Sequence, residues 1–329
     1  MLFALNFFIR RIAQGLIIVI LVAFAVFTLL RVVPGDPVRM MLGPMTPAAV
    51  LEQTAKELGL RDPIPLQFAR YVKQVATGDF GTSFIRGTQG GSTGGSRGDT
   101  THSAANRASV IELIVSTVPY TLLLGGMGIA FALLLAVPIG IFAGLNSGRW
   151  PDRVSVYLSS VLVSLPNIWL GIVFILLFSA KTGWLPAIGY RGPSYAILPA
   201  LVIAFELAPV LIRSISVSIA SGLHENYVDF GTVRGLSRRT IVFKHVVRNA
   251  SIPLLNLFGV QVVGMLLGGL FVVEFIFSYP GLGLLTINAV FQRDFPIIQA
   301  VAILFGGVLV AVNMLVDFVA TNIDRRLQY

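Results

Sequence analysis

Glu206 stands inside an apolar run, Gly192 to Ile212, that is otherwise almost free of charge. A carboxylate at that depth is costly unless it is paired or hydrated, which makes it a candidate contact for a solute crossing a membrane. Asn256 and Gln261 place amides in a later apolar run. Polar side chains there must face protein or a water-filled cavity, so the three residues form a candidate substrate pathway. Arg213, seven positions after Glu206, lies about two turns on and on the same helical face, which leaves open a pair stretched along the helix. Glu274 and Asp317 fall near the ends of their runs, where hydration at the interface accounts for them.

Other chemistry is sought without success. A phosphate-cradling loop needs lysine directly after glycine, and none of Lys56, Lys73, Lys181 and Lys244 follows one. His102, His224 and His245 show no ligand spacing. With no cysteine there is no disulfide or thiolate site, and the G-x-S-x-G strings at Gly90–Gly94 and Gly94–Gly98 fall in a Gly/Ser/Thr-rich stretch rather than between a strand and a helix, so neither reads as a nucleophile elbow. The expectation is a protein that is not an enzyme, with no metal and no cofactor of its own.

The elements that must position these residues are membrane helices. Of the 329 residues, 55% are hydrophobic and only 12% charged, and the mean hydropathy is +0.84. Soluble domains carry about 25% charged residues. Six runs are long enough to span a bilayer core, which takes about 20 apolar residues: Ile12–Leu30, Leu113–Leu145, Val154–Ala180, Gly192–Ile212, Asn249–Val273 and Phe295–Val316. The second reads as one long tilted helix, with Pro138 a point for a kink. The first follows Arg10 and Arg11 and lacks a small-x-small cleavage site, so it reads as a retained anchor. Gly264, Gly268, Gly269, Gly306 and Gly307 read as surfaces for close helix packing.

The net charge of +9 reads as topology and contact with anionic lipid rather than nucleic acid. Arg10, Arg11, Arg149, Arg153, Arg213, Arg234, Arg238, Arg239, Lys244, Arg248, Arg325 and Arg326 share one side. Only Lys181, Arg191 and Arg293 mark the short loops of the other. Both termini and the central loop are therefore expected in the cytoplasm.

Residues 1–112 then comprise the first helix and a large extracytoplasmic segment. In it, Thr46 to Gly59 reads as a helix with Thr46 a cap, Pro47 in its first turn and Gly59 at its end. Leu66 to Val75 reads as another, and Gly78 to Gly81 as a turn. Residues 87–107, rich in Gly, Ser and Thr, read as a flexible insertion. Residues 113–329 form a core of five helices.

The central loop, 221–253, has its own design. Glu225 to Val233 reads as a short helix with Tyr227 and Phe230 on adjacent turns. Gly235 and Leu236 break it. Ser237 caps a second helix running to about Asn249, with Ile241, Val242 and Val246 on one face and basic residues on the other. Such an element is built to dock on a partner.

This loop resembles the coupling loop of ABC importer permeases of the binding-protein-dependent dipeptide/oligopeptide type, through Tyr227, Val228, Gly235, Leu236, His245, Arg248, Asn249, Ala250 and Pro253. It departs from the family at Asp229 to Val233, where small alanines are usual. Five more strings match in order. Arg31 precedes Pro34-Gly35-Asp36-Pro37. Leu58-Gly59-Leu60 is followed by Pro63, and Gly78-Asp79 by Gly81 and Ser83. Glu274 leads Ile276 to Gly283, and Arg293-Asp294-Phe295-Pro296 follows. The resemblance implies an all-α integral membrane protein with six transmembrane helices, the type I ABC importer permease fold, in the cytoplasmic membrane of a prokaryote. It implies a second homologous permease subunit, two ATP-binding subunits or domains that consume the ATP, and an extracytoplasmic substrate-binding protein. Glu225, Tyr227, Phe230, Arg234, Gly235, Leu236, Arg238 and Arg239 would carry the coupling. Peptides are the expected cargo, with nickel chelates, glutathione or other small solutes as alternatives. A self-contained secondary transporter would need an ion site and often an internal repeat, neither of which is evident.

Overall fold

The computed structural model describes residues 2–32, 38–39, 45–57, 59–87 and 107–323. The Pro34–Pro37 string, Leu58, the 88–106 stretch with His102, and Arg325 and Arg326 lie outside them. The chain forms two compact units, one from residues 1–119 and 285–308 and the other from 120–284 and 309–329.

The first unit begins with α1 (Leu2–Val32). Two short helices follow, α2 (Ala48–Glu57) and α3 (Ile64–Ala76), close to the expected bounds. The Pro47 carbonyl accepts from Val50 and Leu51 to open α2, and Gly59 ends it in the left-handed region at φ +63°. Packing holds α3 to α1. The Phe68 ring meets Phe24 and Phe27 edge-on at 5.1 and 5.3 Å, and Arg31 Nε donates to Gln67 Oε1 at 2.7 Å. Burial raises the Tyr71 phenol above its ordinary pKa.

The turn at Gly78–Gly81 forms, with Asp79 Oδ1 accepting from the Gly81 amide at 2.9 Å. It leads into an antiparallel ribbon of β1 (Thr82–Gly87) and β2 (Arg107–Ser109). The sequence reading did not anticipate the ribbon, because its second strand is three residues long and follows the Gly/Ser/Thr stretch.

The spans are helices Arg10–Val32, Val110–Leu145, Pro193–Gly222, Pro253–Ile276 and Phe295–Val319, with a sixth if the bent pair Trp150–Val163 and Asn167–Lys181 is one crossing. The long helix is confirmed: α4 (Val110–Leu145) runs unbroken through Pro119 and Pro138. The third run is not the single helix expected. It divides into α5 (Trp150–Val163) and α6 (Asn167–Phe174), continued by a π-helical turn at Ile175–Lys181, with a bend of 97°. The cause is Pro166, which disfavours helical geometry at Leu165; the Pro166 carbonyl then starts α6 by accepting from Leu170 at 3.0 Å.

At the centre of the second unit is α7 (Ile197–Gly222), whose residues are mostly buried. It comes close to α4 because Gly140 and Gly144 are bare. A Cβ on Gly140 would lie 2.8 Å from Ile215 Cγ2, and one on Gly144 2.7 Å from the Ser216 carbonyl. This is small-residue packing at positions the sequence reading did not name. Of the glycines it did name, Gly264, Gly268 and Gly307 face open space, Gly269 is pressed against Glu206 of α7, and a Cβ on Gly306 would lie 3.6 Å from Val19 Cγ2.

After the central loop the chain runs from α9 (Arg238–Thr240) into α10 (Val247–Gly264) and α11 (Leu270–Ile276) without a break. Turns of π-helix at Ile241–Val246 and Met265–Gly269 join them. The second loop helix therefore does not stop at Asn249 but becomes the fifth span, with Pro253 inside it. A further helix, α12 (Leu282–Gln292), precedes α13 (Phe295–Ile323). At 11 residues, α12 is too short to register as a span.

Candidate functional site

The central loop is a folded hairpin. α7 closes at Gly222, and α8 (Asn226–Val233) follows from the extended backbone of Glu225. Gly235 takes φ +73°. Its amide donates to the Thr232 carbonyl at 2.9 Å and that of Leu236 to Gly231 at 3.0 Å, a left-handed helix end that favours glycine. Ser237 caps the next helix by accepting from the Thr240 amide at 3.3 Å.

The hairpin has an inner and an outer side. Ile241, Val242 and Val246 are buried, and Gly231 is bare where Ile241 Cγ1 would lie 3.3 Å from an added Cβ. Tyr227 also turns inward, with its hydroxyl beside Gly222. Phe230 (69% exposed), Val233 (86%), Leu236 and Phe243 face outward. Glu225, Arg234, Arg238 and Arg239 are exposed around them. An exposed apolar group rimmed by charge is the composition of an interaction surface. Tyr227 belongs to the hairpin's support rather than to that surface.

In the middle of α7, the half-buried Glu206 carboxyl lies against Gly269, where an added Cβ would be 2.9 Å from Oε1. Asn167, the first residue of α6, is its hydrogen-bonding neighbour. Oε2 is buried and without a hydrogen-bond partner. Arg213 is exposed, and no ion pair joins it to Glu206 among the described residues. Asn256 is exposed and Gln261 half-buried; no hydrogen bond brings either to Glu206. Sequence reasoning missed Asn167, whose only signal was its position just after Pro166.

Glu274 departs most from expectation. It is not hydrated at an interface but fully buried, at 0% exposure. The Thr121 hydroxyl donates to Oε1 at 2.8 Å, and the Gly283 and Leu284 amides to Oε2 at 2.6 and 3.3 Å. Thr121 Oγ1 in turn accepts from the Leu282 amide at 2.7 Å. The chain between Glu274 and Gly283 thus folds back over its own carboxylate. Gly283 permits this, since a Cβ there would lie 2.6 Å from Phe271 Cα. Beside the knot, Tyr190 meets Tyr120 and Tyr279 edge-on at 4.9 and 5.4 Å. Burial raises the Tyr279 phenol above its ordinary pKa, so it is neutral at physiological pH.

A second buried carboxylate organises the first unit. Asp294, 1% exposed, accepts from the Ser83 hydroxyl and, at 3.1 Å, from the Phe84 amide. The Gly78–Ser83 and Arg293–Pro296 strings, more than 200 residues apart, are one joint.

Two family models cover the chain: the binding-protein-dependent transport system inner membrane component over residues 136–329, and the N-terminal part of such membrane components over residues 4–125. The glutathione transport system permease protein GsiC of Salmonella paratyphi A is 35% identical over 325 residues, covering 99% of each chain. GsiC of Escherichia coli K12 is 34% identical over the same length, again covering 99% of each. Among solved structures, a chain of the MetNI methionine ABC transporter, in an inward-facing conformation, matches with a TM-score of 0.52 and 17% identity. The match covers 65% of this chain and 98% of that one, a likeness of fold.

Proposed function

We propose, from the premise that this chain belongs to the family of binding-protein-dependent transport system inner membrane components and is the membrane permease of an ABC importer, that its cargo is a small peptide. The resemblance in its motifs points to peptides, and the relatives matched over their full length are named for glutathione, itself a small peptide.

Members of such importers work with ATP-binding and substrate-binding partners. In the finer reading, this permease pairs with a second, homologous one, and each hairpin seats on an ATP-binding subunit in the cytoplasm. A binding protein delivers the solute to the opposite face. The distribution of Arg and Lys among the short loops supports that orientation, with both termini inside.

The observation that carries the proposal is the outer side of the hairpin, where Phe230, Val233, Leu236 and Phe243 stand exposed among cations. An exposed apolar surface of this kind on the cytoplasmic side calls for a cover. It is also rigidly joined to the spans. α7 enters the hairpin directly, and α9 to α11 leave it as one run. Closure of two ATP-binding subunits would move the hairpins, tilt these helices and alternate access to the cavity between the permeases. Glu206, Asn256 and Gln261 are proposed to line that path at different points.

The test is to express the chain with its partners, purify through a tag on this chain in mild detergent, and measure ATP-driven uptake of glutathione and a tripeptide in proteoliposomes. Co-purification of an ATPase with ATP-dependent uptake supports the reading. Flux through the isolated chain without nucleotide overturns it.

A further inference from the structure

We propose that Glu206 and Asn167 form a binding site for a primary ammonium group, the free amino terminus of a peptide solute. The inference rests on the peptide-import reading and names the chemistry by which one point on the path would recognise that cargo.

Three observations meet at this point. The first is a buried carboxyl with an unsatisfied oxygen. Glu206 lies midway along a span, yet its Oε2 is buried without a hydrogen-bond partner, and Arg213 is exposed and makes no ion pair with it. A buried acid of this kind is retained at a cost in stability, which a bound cation would offset.

The second is the shape of the helix opposite. The carboxyl rests on Gly269, the last residue of a π-helical turn. Such bulges interrupt a helix at functional sites, and any side chain at Gly269 would displace the carboxyl. The third is Asn167. The bend at Pro166 starts α6 where this amide meets the Glu206 carboxyl. Its side-chain N–H donates to the carboxyl, which holds the acid in place and leaves Oε2 as the acceptor for an ammonium. Among the described residues no cation pairs with Oε2, so an ammonium completes the site.

The test uses the reconstituted complex with its binding protein and two probes, glutathione and N-acetylglutathione, which differ at the amino group. Uptake of each is measured for the wild type and for Glu206→Gln, and the free-to-acetylated ratio is compared between them. The binding protein is common to both, so its own preference cancels. The expected result is a fall of about tenfold in that ratio. Gly269→Ala, which leaves the acid in place but pushes it aside, is expected to lower the ratio in the same direction. An unchanged ratio in Glu206→Gln, with both probes falling together, makes Glu206 structural and overturns the proposal alone. Failure of both variants to assemble has the same meaning. If the wild-type complex takes up no peptide at all, the peptide-import reading fails first and the assignment of ammonium falls with it.

Discussion

Replacing Glu274 by alanine should loosen the second unit by an amount that its hydrogen bonds let one estimate. The carboxylate accepts three hydrogen bonds, from Thr121, Gly283 and Leu284. Alanine strands those donors in a site that water does not reach, at about 1–3 kcal/mol for each fully buried one. The Leu284 bond is long at 3.3 Å, and the Thr121 hydroxyl can rotate, so the loss is nearer two bonds than three. Removing the acid also relieves its own desolvation, which offsets part of the loss. The net expectation is ~2–4 kcal/mol, on the order of 10 °C in Tm for a unit of this size. Glu274→Gln keeps the shape and one acceptor and should fall between wild type and alanine. The assay is thermal unfolding of the purified complex in detergent. A double-mutant cycle with Thr121→Val should show coupling of about 0.5–3 kcal/mol, as contacting polar pairs do. If Glu274→Ala melts with the wild type, the folded-back chain is held by packing alone and the reasoning from buried donors is wrong.

Three further outcomes are expected. Gly235→Val forces a β-branched residue into φ +73° at a cost of at least ~1–2 kcal/mol; it should leave the protein inserted while ATP turnover continues without uptake, and normal uptake would count against docking through the hairpin. Gly144→Leu has no room against Ile219 and the Ser216 carbonyl and should reduce the amount of assembled complex several-fold on a membrane blot, whereas Gly268→Leu, facing open space, should not. Asp294→Ala frees Ser83 and the Phe84 amide and should expose the β1 region to limited proteolysis, with Ser83→Ala a milder version of the same change.

Much of this was legible in the sequence because it depends on local chemistry. Runs of apolar residues locate the spans, Gly235 can adopt a left-handed turn, and Ser237 caps where a serine should. The hairpin followed from those residues. What was hidden depends on residues distant in the chain. Nothing near Glu274 indicates that Gly283 and Leu284 return to meet it, so a place near a span end was taken for hydration. Asp294 and Ser83 are recognisable as separate strings, but only the fold makes them one joint. The glycine surfaces show the same limit: Gly264 and Gly268 have the spacing of a packing face yet face open space, whereas Gly269 beside them, and Gly140 and Gly144 on α4, are pressed against α7. The bend at Pro166 had a visible signal in the proline itself, which the length of the apolar run obscured. For the candidate pathway, Glu206, Asn256 and Gln261 could be singled out as polar groups in apolar runs. The neighbours of Glu206, Asn167 and Gly269, come from two other helices.

The central claim is that work done by another subunit enters through the outer side of the hairpin. The chain contains no cysteine, so Val233→Cys supplies a single reporter at a position 86% exposed. In intact cells it should resist a membrane-impermeant thiol reagent, and in opened membranes a short bifunctional cross-linker should join it to the ATP-binding partner. Labelling from outside the cell, or the absence of any such cross-link in an actively transporting complex, would contradict the account.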